Sequence, residues 1–101
     1  LVSILADKNY KEMLALISAN AEKIYIAQNE SDRAATVEMQ SAEISKYEIP
    51  YETASTVPEA FIKAINELSK DDILICCGSL YTVGEVLNYY QQSDNFIKQA
   101  G

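Results

Sequence analysis

The sequence contains no histidine and no tryptophan, and its 101 residues include only two cysteines, two prolines and three glycines. Histidine is the commonest zinc ligand and the usual base beside a serine or cysteine nucleophile. Because it is missing, this chain cannot build a Ser-His-Asp triad, a Cys-His pair or an ordinary zinc site. We therefore expect no catalytic residue and no metal site within these residues.

Positive charge is also scarce. Eight Lys and Arg residues face 15 Asp and Glu residues, so the formal net charge is −7, and no dense basic patch is present to neutralise phosphates. Nucleic acid is therefore not an expected partner. The longest apolar run is far shorter than the roughly 20 residues that cross a bilayer, and no signal segment opens the chain. We expect no membrane partner either.

The two cysteines, Cys76 and Cys77, are adjacent, which prevents a relaxed disulfide between them. No base, metal partner or C-x-x-C spacing accompanies them, so we interpret them as small apolar residues that fill the core. Free thiols are typical of a reducing compartment, and a cytoplasmic location is predicted.

The apolar residues alternate between short continuous runs and longer amphipathic stretches. With 49% hydrophobic and 23% charged residues, the chain has the composition of one globular domain. The predicted strands cover residues 1–5, 23–27, 49–53 and 73–77, and each is followed by a predicted helix. Such alternation favours an α/β fold: a Rossmann-like three-layer sandwich with a mostly parallel sheet of about four strands flanked by helices.

Helical periodicity and caps give the expected helices. The spacing of Thr56 and Glu59 is that of a capping box, and the weakest predicted helix covers residues 34–46. The residues expected to face the core are Tyr10, Met13, Leu14 and Ile17 in the first helix, Phe61, Ala64, Ile65 and Leu68 in the third, and Val83, Val86, Leu87 and Tyr90 in the last. The run 73–77 is the most continuous apolar stretch, which predicts a strand covered on both faces.

Ligands of open parallel sheets bind beyond the carboxyl ends of the strands. This rule selects residues 6–8, 28–33 and 78–81, and it brings Lys8, Arg33 and a helix start at Gly78-Ser79 to one edge. A small carboxylate or phosphate would suit such an edge, and a charge-assisted hydrogen bond of about 1.5–3 kcal/mol supports weak capture. The structural alternatives are an N-cap at Asp7, solvated charges at Lys8 and Arg33, a cap at Ser79, backbone freedom at Gly78 and packing at Tyr81.

Three segments at these loops resemble one enzyme family. Residues 77–87 read C-G-S-L-Y-T-V-G-E-V-L, residues 5–10 read L-A-D-K-N-Y, and residues 33–35 read R-A-A. In order and spacing they resemble the carboxyl-terminal domain of folylpolyglutamate synthase and dihydrofolate synthase, members of the Mur ligase superfamily. The resemblance extends over nearly the whole chain.

The resemblance implies an ATP-dependent ligase that activates a folate carboxylate as an acyl phosphate, which the amino group of L-glutamate then attacks. ATP and Mg²⁺ would be bound mainly by a central ATPase domain of the same polypeptide. In this domain the resemblance implies glutamate contacts from Lys8 and Ser79 with Tyr81 beside them. Asp7, Gly78 and Arg33 would support them, Asp7 by orienting Lys8 or capping the helix.

Two motifs of the family are missing. The sequence has neither the phosphate-binding G-x-x-x-x-G-K-[ST] nor the D-G-A-H-N segment that opens the family's carboxyl-terminal domain. Residues 1–101 are therefore interpreted as a partial Mur ligase carboxyl-terminal domain, a fragment without the first strand–helix unit. We expect it to be inactive by itself and to self-associate through an uncovered sheet edge. The alternative is a flavodoxin-like regulatory or interaction module without catalysis.

Overall fold

The computed structural model describes residues 1–7 and 9–100, and only the backbone of residues 93–100. The described residues form α1 (Tyr10–Ser18), β1 (Ile24–Ile26), α2 (Val37–Ile44) with a 3-10 turn (Ser45–Tyr47), β2 (Tyr51–Thr53), α3 (Val57–Glu67) and α4 (Leu80–Ala100). The predicted α/β class is confirmed. Within the described residues, no helix is both long and apolar enough to span a membrane.

The sheet is parallel, as predicted, but only two of the predicted strands pair as regular strands among the described residues. Strand β1 pairs with β2 in parallel, with Ile24 opposite Tyr51. Val2 forms single parallel bridges to Ile26 on one side and to Cys77 on the other. The predicted strands at 1–5 and 73–77 therefore contribute bridges next to a regular sheet of two strands. The first segment leaves the sheet early because Leu5 pairs antiparallel with Ala34.

Two apolar clusters occupy the two faces of this sheet, because successive side chains of an extended segment point to opposite faces. The buried members of the first are Leu1, Tyr25, Ala27, Ala54, Val57, Ala60, Phe61, Ala64 and Val86, and those of the second are Val2, Ile4, Leu14, Ile24, Ile26 and Ile44. Helices α3 and α4 supply the first cluster, and α1 and α2 supply the second. The helices thus cover both faces and leave the ends of the strands open for a site.

The helix starts follow local capping chemistry. The capping box at α3 is confirmed, because the Glu59 N–H donates to Thr56 Oγ1 at 3.3 Å. The reciprocal bond runs from the Ser55 N–H to Glu59 Oε2, one residue earlier than in the usual box. Helix α2 begins at Val37 and not at residue 34, since Thr36 provides its cap. Helix α1 has Asn9 as its N-cap, so the alternative of a cap at Asp7 is wrong.

The predicted burial of residues 73–77 on both faces is wrong. Leu74 and Cys76 pack against the first cluster, but Ile73 and Ile75 are 85% and 68% exposed. No described element covers the second face at this end of the sheet. The buried faces of α3 and α4 are also narrower than predicted. Four large apolar residues of these two regions were expected in the core but are exposed: Ile65, Leu68, Leu87 and Tyr90.

Candidate functional site

The predicted site residues follow segments that lie side by side in the sheet. Asp7 comes after the first segment, Arg33 lies in the loop after β1, and Gly78, Ser79 and Tyr81 follow the segment that bridges to Val2. Since these segments run parallel, their following loops meet at one edge. Lys8 lies outside the described residues, so its predicted position beside Ser79 stays a prediction.

Asp7 and Arg33 form an ion pair across two of these loops. Arg33 Nε donates to Asp7 Oδ2 at 2.6 Å, and both side chains are about half exposed. The hydrogen bond and the charge of Asp7 raise the pKa of Arg33, with a smaller contribution from Tyr81 of α4. The ion pair therefore joins the segment after residue 5 to the loop after β1. The ion pair orients the guanidinium and leaves it accessible to solvent.

Gly78 closes the turn into α4 and touches the first segment. Its φ is +123°, a conformation that L-residues with a side chain rarely adopt. A Cβ at this position would lie 2.4 Å from the carbonyl oxygen of Ser3. Both the turn and this close approach require glycine, so Gly78 determines where Ser79 sits relative to the first segment.

Ser79 is held in place by three hydrogen bonds to two residues, Thr82 of α4 and Asn29 of the loop after β1. Its Oγ accepts from the Thr82 N–H at 3.2 Å, which caps α4, and from Asn29 Nδ2 at 3.2 Å. It also lies 3.1 Å from Thr82 Oγ1. Ser79 is only partly buried. Its hydroxyl is thus fixed in direction and remains within reach of solvent.

Asn29 and Thr82 are buried beneath Ser79 and join the loop after β1, the start of α4 and the first segment. Asn29 is 3% exposed and donates from Nδ2 to Thr82 Oγ1 at 3.1 Å, while its N–H donates to Ser3 Oγ at 2.8 Å. Thr82 is fully buried and donates to the Ser3 carbonyl at 2.7 Å. Because a buried polar group without a partner is costly, this network ties together the first segment at Ser3, the loop after β1 and the start of α4.

A carboxylate of α4, that of Glu85, also contacts the loop after β1. Glu85 Oε2 accepts the Glu30 N–H at 3.1 Å, while its Oε1 is buried without a hydrogen-bond partner among the described residues. Burial raises the pKa of Glu85, and the bond from the Glu30 N–H opposes that shift. The arrangement places a partly desolvated carboxylate beside the predicted anion-binding edge.

The sequence-based prediction missed the residues that hold the edge together. Asn29 was included only within a polar loop, and Thr82 only within a family motif. A polar residue directly after a buried strand is the available signal for Asn29, but the pairing with Thr82 cannot be read from spacing. Gln40, in the weakest predicted helix, is also fully buried. Its amide accepts from the Ile4 N–H and donates to the carbonyls of Ala27 and Ala35.

The groups at this edge are of the kinds that attract or hydrogen-bond small anions. It offers one oriented guanidinium, one oriented hydroxyl and the start of α4, whose N–H groups favour negative charge. Among the residues described here, no group of three His, Cys, Asp or Glu side chains could hold a metal ion.

Comparison with known proteins finds similar structures in one group of enzymes. No protein-family model matches the sequence, and no curated protein matches it. Among solved structures, Escherichia coli FolC in complex with DHPP and ADP matches 91% of the chain with a TM-score of 0.83 and 24% identity. FolC with ADP and without folate substrate matches 92% with a TM-score of 0.84 and 24% identity.

A third solved structure extends the likeness to another organism. The bifunctional folylpolyglutamate synthase/dihydrofolate synthase of Yersinia pestis, complexed with AMPPNP and a Mn ion, matches 89% of the chain with a TM-score of 0.76 and 27% identity. The chain spans only about a fifth of the length of these proteins, 21–22%. The resemblance drawn from the sequence is therefore confirmed: this chain is similar, over about nine-tenths of its length, to a segment of the folylpolyglutamate synthase/dihydrofolate synthase enzymes.

Proposed function

We propose that residues 1–101 are part of the carboxyl-terminal domain of an ATP-dependent folylpolyglutamate synthase or dihydrofolate synthase, a Mur ligase. In that enzyme the edge formed by Asp7, Arg33, Ser79 and Tyr81 helps to bind the incoming L-glutamate. The observation that carries the proposal is that the Asp7–Arg33 ion pair and the fixed Ser79 hydroxyl follow neighbouring parallel segments in a fold similar to FolC. The FolC structures contain ADP, and one also contains DHPP.

The proposed division of roles follows the resemblance to the enzyme family and the chemistry of glutamate. Glutamate carries two carboxylates, which need cations and hydrogen-bond donors. Lys8 would supply a cation and Ser79 a hydroxyl, while Tyr81 lies beside them and Arg33 and Asp7 support the loop. In the parent enzyme, the glutamate nitrogen attacks the folate acyl phosphate, the new C–N bond forms and phosphate leaves. The contribution of this chain is to hold the carboxylates so that the nitrogen faces the reacting carbon.

ATP and its magnesium ion do not fit the residues of this chain. The sequence has no phosphate loop, and the described part offers no metal-binding cluster. We place both groups mainly in the central ATPase domain of a cytoplasmic parent enzyme, and expect this chain to be inactive without it. We also propose that the bridged segments belong to a four-stranded sheet in the complete domain.

A glutamate titration followed by ¹⁵N–¹H NMR tests the proposal. Two or so charge-assisted contacts of about 1.5–3 kcal/mol each predict a dissociation constant near the millimolar range. Shifts are expected in the loops at residues 28–33 and 78–82. Lys8→Ala should weaken binding about tenfold or more. Lys11→Ala is the matched control, because Lys11 is an exposed lysine on α1 and should leave binding unchanged.

Two results would contradict the proposed role. The absence of glutamate-dependent shifts at saturating millimolar concentrations would favour the alternative of a flavodoxin-like module without ligand chemistry. Shifts that persist equally in Lys8→Ala would remove Lys8 from the glutamate contacts. L-lysine at the same concentration and ionic strength serves as the ligand control, since it lacks the second carboxylate.

A further inference from the structure

The first segment and β1 separate near the carboxyl end of the sheet. Before that point they are joined directly: the Val2 N–H donates to the Tyr25 carbonyl at 2.8 Å, and the Ala27 N–H donates to the Val2 carbonyl at 3.1 Å. In a parallel pair such bonds recur at even spacing, so the next one would join the Ile4 N–H to the Ala27 carbonyl. Instead, these two groups are connected through a side chain, the carboxamide of Gln40.

Gln40 of α2 inserts its amide between the two segments. The Ile4 N–H donates to Gln40 Oε1 at 3.3 Å, and Gln40 Nε2 donates to the Ala27 carbonyl at 2.9 Å. The same nitrogen donates to the Ala35 carbonyl at 3.1 Å. Gln40 is fully buried, so its amide, and not solvent, pairs these backbone groups. We call the point where the first segment, β1 and residues 33–35 meet around Gln40 the junction.

The third segment of the junction returns beside the first segment in the opposite direction. The Ala35 N–H donates to the Ile4 carbonyl at 2.8 Å, and the Ala6 N–H donates to the Arg33 carbonyl at 2.6 Å. This pairing brings Arg33 beside the residue that follows Ala6, so that its Nε donates to Asp7 Oδ2 at 2.6 Å. The Asp7–Arg33 ion pair therefore depends on the space that the junction opens between the first segment and β1.

Two arrangements would satisfy the backbone here, and the Gln40 amide favours the open one. With the amide in place, the Ile4 N–H and the Ala27 carbonyl are both bonded while their segments stay apart. Without it, the two groups would be left unpaired in the interior or would bond directly to each other. An unpaired buried backbone group is costly, so the direct bond is favoured. It would close the space that the returning segment occupies and move Arg33 away from the first segment.

We propose that Gln40 is a positioning residue of the glutamate-binding edge: its carboxamide holds the first segment and β1 apart and thereby places Arg33 against Asp7. Gln40 is buried and acts through the backbone of the two loops, without touching a ligand. Where glutamate binding is concerned, the inference rests on the proposed function, in which the ion pair supports the loop that contains Lys8. The placement of Arg33 itself is independent of any ligand and is tested separately.

The ¹⁵N–¹H NMR signal of the Arg33 side chain tests the placement without a ligand. Arg33 is the only arginine of the chain, so its Nε–H gives a single resonance. In the wild type, the hydrogen bond to Asp7 should move this resonance downfield from that of free arginine and slow its exchange with water. In Gln40→Met, which keeps the length of the side chain but has no amide, the resonance should move to the position of free arginine.

Two further variants separate placement from stability. Ile44→Val is the matched control, because Ile44 is as buried as Gln40 and lies one turn further along α2, but has no polar group for the junction. It should leave the Arg33 resonance unchanged. Gln40→Glu is the conservative variant. It keeps the acceptor for the Ile4 N–H and lacks the amide donors, so it should also release Arg33.

Titration of the same variants with L-glutamate connects the placement to binding. Gln40→Met should raise the dissociation constant about tenfold or more, and Ile44→Val should leave it unchanged. A wild type that does not bind glutamate would contradict the proposed function, and the Arg33 resonance would then decide the role of Gln40. A wild-type Arg33 resonance in both Gln40 variants would overturn the inference even if glutamate binds. Unfolding of both Gln40 variants would overturn it too, because Gln40 would then stabilise the whole domain and not place Arg33.

Discussion

Alanine substitutions at two glycines should change stability in opposite directions. At Gly78 the new Cβ lies 2.4 Å from a main-chain oxygen, that of Ser3, and the backbone is held at φ +123°. Forcing a residue with a side chain into such a conformation costs roughly 1–3 kcal/mol. The Ser3 carbonyl must also move, which disturbs its 2.7 Å bond from Thr82, worth about 0.5–1.5 kcal/mol. Gly78→Ala should thus lower the free energy of unfolding by about 2–4 kcal/mol.

Gly84 provides the matched control inside α4. A Cβ there meets nothing within 4 Å, and no positive φ is found at this residue. Alanine is favoured over glycine in a helix interior by about 0.8–1 kcal/mol, so Gly84→Ala should stabilise the chain by about that amount. For a domain of this size the two variants should shift the melting temperature in opposite directions, by about 4–8 °C per kcal/mol.

Urea unfolding measured by far-ultraviolet circular dichroism is the assay, with all variants at one protein concentration so that any association contributes equally. Equal destabilisation by both alanines would mean that helix α4 does not form as described. A Gly78→Ala variant within about 0.5 kcal/mol of the wild type would show that the turn and its contact with Ser3 are not required. Either result would refute the geometric argument for the predicted edge.

Two further predictions concern buried hydrogen bonds and pH. Asn29→Ala removes the two side-chain hydrogen bonds to Ser79 and Thr82 and should lower the free energy of unfolding in urea by about 1–3 kcal/mol. Asn88→Ala, on the exposed face of α4, is the control and should change the free energy of unfolding little. Equal destabilisation by the two variants would contradict the hydrogen-bond network described for Asn29. Glu67 accepts hydrogen bonds from Lys23 and from a tyrosine hydroxyl of β1, which lower the pKa of Glu67 from 4.5 to about 2. Its folded-state pKa is depressed, so its contribution to stability is present above about pH 4.5 and is lost as the pH falls toward 2. The difference in unfolding free energy between the wild type and Glu67→Gln should be constant above about pH 5 and shrink below it, and a difference that stays constant through this range would contradict the assigned cause.

Local chemistry accounts for the elements that the sequence predicted well. The Thr56–Glu59 spacing located the start of α3, and the alternation of apolar runs with amphipathic stretches indicated an α/β domain with parallel pairing. The motif at residues 77–87 indicated the likeness to folylpolyglutamate synthase. These predictions succeeded because caps, periodicity and motifs depend on residues close together in the chain.

Burial and cross-loop contacts were predicted poorly. Continuous apolar character suggested a strand covered on both faces at residues 73–77, yet Ile73 and Ile75 face outward because no described element lies over them. Arg33 was expected to serve as a separate cation, and the structure instead joins it to Asp7. Which apolar surface is covered, and which charges pair, depends on elements distant in sequence.

By itself, the sequence determined the class of the fold, the start of α3 and the three loops that carry polar chemistry, because each of these rests on interactions within a few residues. Tertiary structure alone decided that Asn29 binds Ser79 and Thr82, that Thr82 and Gly78 contact Ser3 and that Ile73 and Ile75 are exposed. These contacts join residues as many as 79 positions apart. Their geometry is set by how the helices pack on the sheet, which no local pattern of residues encodes.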